Sequence, residues 1–277
     1  MNIDKNLTAR IWVPRIIVLL ITFLTVFPLL FVFMTSLKST QEFLFNIWAL
    51  PSKFSLSNYS KAWSQGEIGH FFLNSFYVVS LSIAGILLFS SLAGYSLARL
   101  RVPKAEFIMM VILVPTMFPS ESILMPFYIM MSKLKLLGEA YTLIVPFIGW
   151  GVPTATYIFR NFFLSIPNEL LEAAKVDGAS DTLVFGKVIM PIMIPTLLTV
   201  AILNFGLWGE LLWTTVSMSA STFRTIPLGI LAFQTQMGTD WGPLSAAICI
   251  VMVPLIILFL SSQKHFVQGL TGGAVKG

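Results

Sequence analysis

Residues 161–195 read NFFLSIPNELLEAAKVDGASDTLVFGKVIMPIMIP, a charged and helix-prone island in an otherwise apolar chain, and their reading decides the fold. Ser165 and Pro167 offer a helix start. Asn168 to Asp177 is rich in Leu, Glu, Ala and Lys, with Glu169 and Glu172 placed early, where a carboxylate favours the helix dipole. Gly178 is expected to close that helix in the left-handed cap conformation. Ser180 and Asp181 then supply an N-cap and a first-turn acid for a second helix running to Pro191 and Pro195. The expected product is a helix, a glycine corner and another helix, a protrusion shaped to seat in a cleft on another protein.

The rest of the chain places that protrusion on a membrane protein. Of 277 residues, 56% are hydrophobic and 10% charged, against roughly a quarter charged in soluble domains. Mean hydropathy is +0.86. The net charge of +5 does not imply nucleic acid, because Lys and Arg are scattered between apolar runs instead of clustered. The single cysteine, Cys249, excludes an internal disulfide framework and a cysteine metal site.

Working outward, a basic leader with Lys5, Arg10 and Arg15 precedes an apolar run from Ile16 to Met34. That run is too long for a signal-peptide core and ends without a small-x-small cleavage site, so it is expected to be a first membrane helix. Leu37 to His70 reads as a loop outside the bilayer with interfacial aromatics such as Trp48 and Trp63. The second span, Phe71 to Leu97, carries Ser90, Gly94 and Ala98 at every fourth position, a face able to pack closely on another helix. The third, Phe107 to Met131, is interrupted by Pro115, Pro119, Ser120 and Glu121 and is expected to be broken. Irregular backbone at membrane depth is tolerated where it lines a cavity, so Ser120 and Glu121 are candidates for a translocation path.

The fourth span, Ala140 to Phe159, contains Pro146, Gly149, Gly151 and Pro153 and leads through Arg160 to the island. The fifth, Thr196 to Val216, adds the intramembrane polar candidates Asn204 and Glu210. Ser217 to Gly242 forms a last outer loop, Leu244 to Leu260 the sixth span, and a basic, glycine-rich tail ends the chain. The expected fold class is all-α: a polytopic membrane protein with six transmembrane helices.

Six spans put both termini on one side. That side collects Lys5, Arg10, Arg15, Arg99, Arg101, Lys104, Arg160, Lys175, Lys187, Lys264 and Lys276, eleven cations. The other holds six: Lys38, Lys53, Lys61, Lys133, Lys135 and Arg224. By the positive-inside rule the first side, with the island, is cytoplasmic. Gly186–Lys187 does not make a phosphate loop, because Val188 stands where a Ser or Thr must reach magnesium. His70 and His265 fall on opposite sides of the expected bilayer, which argues against a histidine metal site. A secondary carrier using Glu121 or Glu210 as a proton relay is the competing reading, but no internal repeat is visible.

Within the island, Glu172-Ala173-Ala174, three residues, Gly178, nine residues, then Val188-x-Met190-Pro191 closely resembles the cytoplasmic EAA-type loop of bacterial ABC-importer membrane subunits. Val188 and Met190 replace the usual Ile and Leu of that family. The segment FFLNSFYVV (71–79) and the ending GLTGGAVKG (269–277) are similar to the carbohydrate-uptake branch, the maltose importer's smaller permease included. The resemblance implies a MetI-like permease core and three regions. These are an N-terminal leader, first helix and outer loop (1–69), a five-helix core with the EAA-type loop at 160–195 (70–266), and a cytoplasmic tail (267–277).

It implies further that Glu169, Glu172, Ala173, Ala174, Asp177 and Gly178 contact an ATPase, with Ala173 and Ala174 permitting close approach. The outer residues Gln236, Gly238, Thr239 and Asp240 would face a sugar-binding protein, with Gly238 and Asp240 at the loop tip. The tail, Gly272 to Gly277, would reach between ATPases. The implied partners are a second, homologous permease, two ATPase subunits, an extracellular or periplasmic sugar-binding protein and the lipid bilayer, with no nucleic acid. The chain itself would need no cofactor, since ATP and Mg would be held by the ATPases. The implied location is the bacterial inner membrane.

Overall fold

The computed structural model describes residues 5–218, 223–235 and 238–272, and most of them are helical. In chain order the helices are α1 (Lys5–Ser36), α2 (Thr40–Phe45), α3 (Ser57–Ser60), α4 (Ile68–Arg99), α5 (Ala105–Leu113), α6 (Glu121–Lys133) and α7 (Tyr141–Ser165). Then come α8 (Asn168–Val176), α9 (Asp181–Leu183), α10 (Met190–Ile192), α11 (Ile194–Asn204), α12 (Leu212–Met218), α13 (Ile226–Leu231) and α14 (Trp241–Gly272). A two-stranded antiparallel ladder, β1 (Gln234–Thr235) with β2 (Gly238–Thr239), precedes α14.

Among the described residues, four helices are long and apolar enough to cross a membrane alone, and two bent pairs raise the count to six if each pair is one span. The first pair joins Ala105–Met117 to Glu121–Lys133 at 91°. Its break is chemical: Phe118 is extended (φ −100°, ψ 139°) because the ring of Pro119 disfavours the helical conformation in the residue before it. The second joins Val184–Ile192 to Ile194–Gly209 at 69°.

The fifth span departs from the continuous helix expected over 196–216. The α-helix ends at Asn204, a 3₁₀ turn covers Phe205–Gly209, Glu210 is extended, and helix resumes at Leu212. Gly206 and Gly209 weaken the helix here. The Glu210 carboxylate then caps the restart, accepting the N–H groups of Leu212 at 3.1 Å and Trp213 at 2.9 Å. The second helix of the island is likewise irregular, one α turn (α9), a π-helical stretch at Val184–Ile189 and then α10.

The chain divides into two compact units, residues 1–69 with 229–253 and residues 70–228 with 254–277. In the second unit, α7 is the most enclosed long helix, with 44% of its apolar window buried. Around it pack Ile86 and Tyr95 of α4, Val184 and Ile189 of the π-helical stretch, Met193, and Val200 of α11. Close approach of α4 and α7 is set by the small-residue face: Ser90 is fully buried, and a Cβ on Gly94 would meet the Arg160 nitrogen and Phe159 Cβ at 3.0 Å. Because one of these neighbours is backbone, Gly94→Val should cost about 1–3 kcal/mol, seen as a lower melting temperature of the detergent-solubilised protein. An unchanged melting temperature would mean that α4 and α7 are not held at this contact.

In the first unit, the α1 span from Trp12 to Ser36 has none of its apolar window buried, so its side chains face away from the rest of this chain. After it, Asn58 is buried and donates from Nδ2 to the carbonyls of Ser36 (2.8 Å) and Lys38 (2.7 Å), closing the loop onto the end of α1. The Ser52 N–H donates to Glu42 at 2.5 Å and holds that carboxylate below its ordinary range.

Candidate functional site

The island's first helix, α8, is short and two-faced. Leu171 and Ala174, three residues apart, pack on the hydrophobic cluster of the second unit, while Glu169, Leu170, Glu172, Ala173, Val176, Asp177 and Gly178 are exposed. Ala174 thus serves the chain's own packing, and Ala173 alone of the two alanines lies on the outer face. Val176 is 86% exposed at the end of that face, an apolar side chain set beside acids.

Gly178 ends the helix as the sequence predicts, with φ +82°. The Ala179 N–H bonds the Ala174 carbonyl at 3.0 Å, the six-to-one bond of a Schellman cap, and both residues pack on the same cluster. No atom lies within 4 Å of where a Gly178 Cβ would stand, so the corner faces open space. The start of α8 differs from the expectation: Ser165 is the last residue of α7, and its hydroxyl donates back to Phe162 O at 2.7 Å. Pro167 alone separates the end of α7 and its cap, Ile166, from α8. Ser180 does cap the following turn, accepting the Leu183 N–H at 3.4 Å.

A residue that sequence reasoning counted only as a topological charge fixes this helix in place. Arg99, the last residue of α4, donates to Asn168 Oδ1 at 2.5 Å and to the carbonyls of Phe163 and Ile166. The two carbonyls belong to the end of α7, where Phe163 O also receives the Ile166 N–H at 3.2 Å and a cation favours the dipole. One guanidinium therefore joins the end of α4, the end of α7 and the first residue of α8. Tyr95, one turn earlier on α4, packs edge-on against Phe163 at 5.5 Å between ring centres and lies 5.0 Å from Phe185 beyond the corner. The buried Arg160 forms an ion pair with Glu106, tying α7 to α5.

The four polar candidates at membrane depth separate. Ser120 lines a cavity of about 360 Å³ with Pro115, Thr116 and Phe118 on one side and Gly149, Trp150, Pro153 and Thr154 of α7 on the other. Its hydroxyl donates to Glu121 at 2.8 Å. Asn204 does not line it: the amide donates to Val200 O at 2.8 Å, and its oxygen would lie 2.6 Å from a Cβ on Gly151, in the contact between α11 and α7. Glu210 is the helix cap described above, within coulombic range of Glu121. The broken third span thus forms the cavity wall, and Trp150 and Thr154, which patterning passes over as ordinary span residues, face it.

In the hairpin before α14, Gln234 pairs with Thr239 and Thr235 with Gly238. Gly238 has φ +134°, as only glycine readily adopts, and Thr239 is half-buried. Gln236 lies outside the described residues. Asp240 is at the foot of the hairpin and not its tip: its N–H bonds Phe233 O at 3.2 Å, its carbonyl receives the Leu244 N–H of α14, and its carboxylate accepts the Thr40 hydroxyl. The start of α14 draws it there. The tail from 273 to 277 lies outside the described residues.

Continuous and broken apolar helices, a cavity walled by the broken third span and α7, and one exposed, tethered amphipathic helix are the features of a membrane-spanning subunit. Residues 86–272 match the family described as binding-protein-dependent transport system inner membrane component. The chain belongs to this family, the multi-pass permease subunits of ABC transporters, in which ATP hydrolysis resides in a separate subunit. It is 34% identical over 252 residues to the probable ABC transporter permease protein YurM of Bacillus subtilis, covering 91% of this chain and 84% of that one. It is 33% identical over 271 residues to the arabinooligosaccharides transport system permease protein AraQ of Halalkalibacterium halodurans, 96% of each chain. Its fold is shared with a bacterial ABC transporter that imports the acidic polysaccharide alginate, with a TM-score of 0.78 at 21% identity over 94% of this chain and 98% of that one.

Proposed function

We propose that this chain is one of two homologous permeases in a sugar importer of the oligosaccharide class, with α8 as the lever by which an ATPase moves it. The observation that carries this reading is the exposed face of α8, Glu169, Glu172, Ala173, Val176 and Gly178, on a helix whose other face is packed and whose root is bound by Arg99. A force applied to that face passes to α4 and α7 without being absorbed by a flexible joint. The broken helices around the Ser120 cavity are then the elements that re-orient, as alternating access requires two packings with different affinity for the driving subunit. ATP and Mg belong to the paired ATPases. The excess of cations on the α8 side supports an orientation with both termini and α8 in the cytoplasm. The hairpin at Gly238 and Thr239 then faces a sugar-binding protein outside. Cargo class is supported by the arabinooligosaccharide relative, which aligns over 96% of the chain.

The test is co-purification in mild detergent from cells carrying the native operon, followed by ATPase and oligosaccharide-uptake assays in proteoliposomes. A second permease and an ATPase should be recovered, and ATP hydrolysis should rise in the presence of the binding protein. Sugar movement by the chain alone, without ATP, would overturn the reading in favour of a secondary carrier.

A further inference from the structure

The cavity between the broken third span and α7 has an aromatic part and a polar part, and none of its lining residues is charged. The aromatic part is the Trp150 indole, backed at 6.4 Å by the ring of the buried Trp213, which in turn stands 5.3 Å from Phe127. Phe118 lies on the opposite wall. A flat apolar face laid on Trp150 would therefore meet a ring that its own neighbours hold in place.

The polar part is left without partners by the chain itself. Among the described residues the Thr154 hydroxyl and the Trp150 indole N–H donate to no group, and the Ser120 N–H, in the break between α5 and α6, bonds no carbonyl. On α7, Pro153 has no N–H to give the Gly149 carbonyl one turn before it. No atom lies within 4 Å of where a Gly149 Cβ would stand, so this stretch of backbone is open to close approach. The Thr116 hydroxyl, by contrast, is already spent on Leu113 O at 2.7 Å.

Acyl chains offer nothing to such groups, and irregular backbone at membrane depth is tolerated only against protein or a polar cavity. The matching molecule has a flat apolar face rimmed by hydroxyls that both donate and accept: a sugar ring. A volume of about 360 Å³ falls at the lower end of small-ligand sites, room for a ring at a chain end and not for a long oligosaccharide. Charge narrows the class further. The ionisable side chain bonded to this wall is Glu121, which accepts the Ser120 hydroxyl, and Glu210 is within coulombic range of it. An anionic sugar would meet carboxyl groups and no lining cation.

We propose that this cavity is a subsite for one ring of a neutral sugar, stacked on Trp150 and hydrogen-bonded by Thr154, the Ser120 N–H and the Gly149 carbonyl, and that it rejects uronates. The assignment rests on the importer reading for its cargo and deepens it, since it gives this chain direct contact with the sugar and sets the charge of what it accepts.

The test is cysteine protection in the full chain, purified with its operon partners and placed in phospholipid nanodiscs. In a Cys249→Ser background, Thr116→Cys puts a thiol on the cavity wall without touching the proposed ligands. A water-soluble maleimide should alkylate it, and neutral trisaccharides of arabinose, glucose or N-acetylglucosamine at millimolar concentration should slow that reaction several-fold, whereas trimers of galacturonate or mannuronate should not. Trp150→Ala should raise the concentration needed for half-protection about tenfold, and Trp150→Phe less. No alkylation would overturn the site, because lipid or a second chain would then fill it. Equal protection by both sugar sets, protection by neither, or unchanged protection in Trp150→Ala would overturn it as well. Should Thr116→Cys fail to insert, the neutral trisaccharides should change a fluorescence component that is lost in Trp150→Phe, and no change would again overturn the site. Protection is read without ATP: an importer that couples hydrolysis to uptake yet shows none fails here alone, and a protected chain recovered without an ATPase fails the importer reading alone.

Discussion

Gly178→Arg is expected to abolish binding-protein-stimulated ATP hydrolysis and sugar uptake while leaving membrane insertion and the detergent melting curve nearly intact. The corner has φ +82°, and any L-residue there costs roughly 1 kcal/mol or more of backbone strain. That strain is common to arginine and alanine, and the space around the Cβ is open to both within this chain. Only the arginine carries a long cation onto the exposed face of α8, where it would hold a docking cleft away. Gly178→Ala should therefore lose no more than about tenfold in stimulated hydrolysis, the equivalent of 1.4 kcal/mol, and Gly178→Arg far more. Equal loss in both variants would assign the effect to cap strain. Full activity in both would remove α8 from the coupling path.

Arg99→Ala is expected to be the second severe change, although it lies behind the docking face. Deleting the guanidinium leaves the Ile166 carbonyl and the Asn168 amide oxygen without their donor, and the Phe163 carbonyl with the Ile166 N–H alone, at a partly buried helix end. Hydrogen bonds to charged groups contribute about 1.5–3 kcal/mol, and with partial exposure the three together should contribute about 2–3 kcal/mol. The consequence is a loose root for α8. ATPase binding should survive, because the exposed face is unchanged, while uptake per ATP hydrolysed falls steeply. Arg99→Lys should recover only a fraction, since an ammonium cannot spread donors over three acceptors as a planar fork does. If Arg99→Ala instead lowers uptake and hydrolysis in equal proportion, Arg99 acts on folding alone and not on transmission.

The island was legible because each of its features is local. Helix-forming residues, an early acid pair, a glycine corner and a capping serine all act within a few residues of themselves, and α8, Gly178 and Ser180 behave accordingly. The proline break in the third span is equally local, since Pro119 acts on the residue beside it. The misreadings share a different cause. Ser165 is a good cap in isolation, but α7 has enough apolar contact to continue through Phe163 and absorb it. Glu210 reads as an intramembrane acid until the unwinding at Gly206 and Gly209 gives it two N–H groups to cap. Asp240 reads as a loop tip until the hairpin register sets it at the foot.

The sequence by itself determined a multi-pass helical membrane protein with one amphipathic island, because hydropathy, helix periodicity and cap chemistry are properties of neighbouring residues, and the resemblance of that island to an EAA-type loop pointed to a permease. The tertiary structure alone decided that Arg99 binds α8 to two other helices, that Ala174 faces inward while Val176 faces out, and that Ser120 lines a cavity which Asn204 and Glu210 do not. Arg99 and Ile166 are separated by 67 residues, and no periodicity along the chain records such a meeting. It exists only once Gly94 lets α4 and α7 approach until backbone meets backbone.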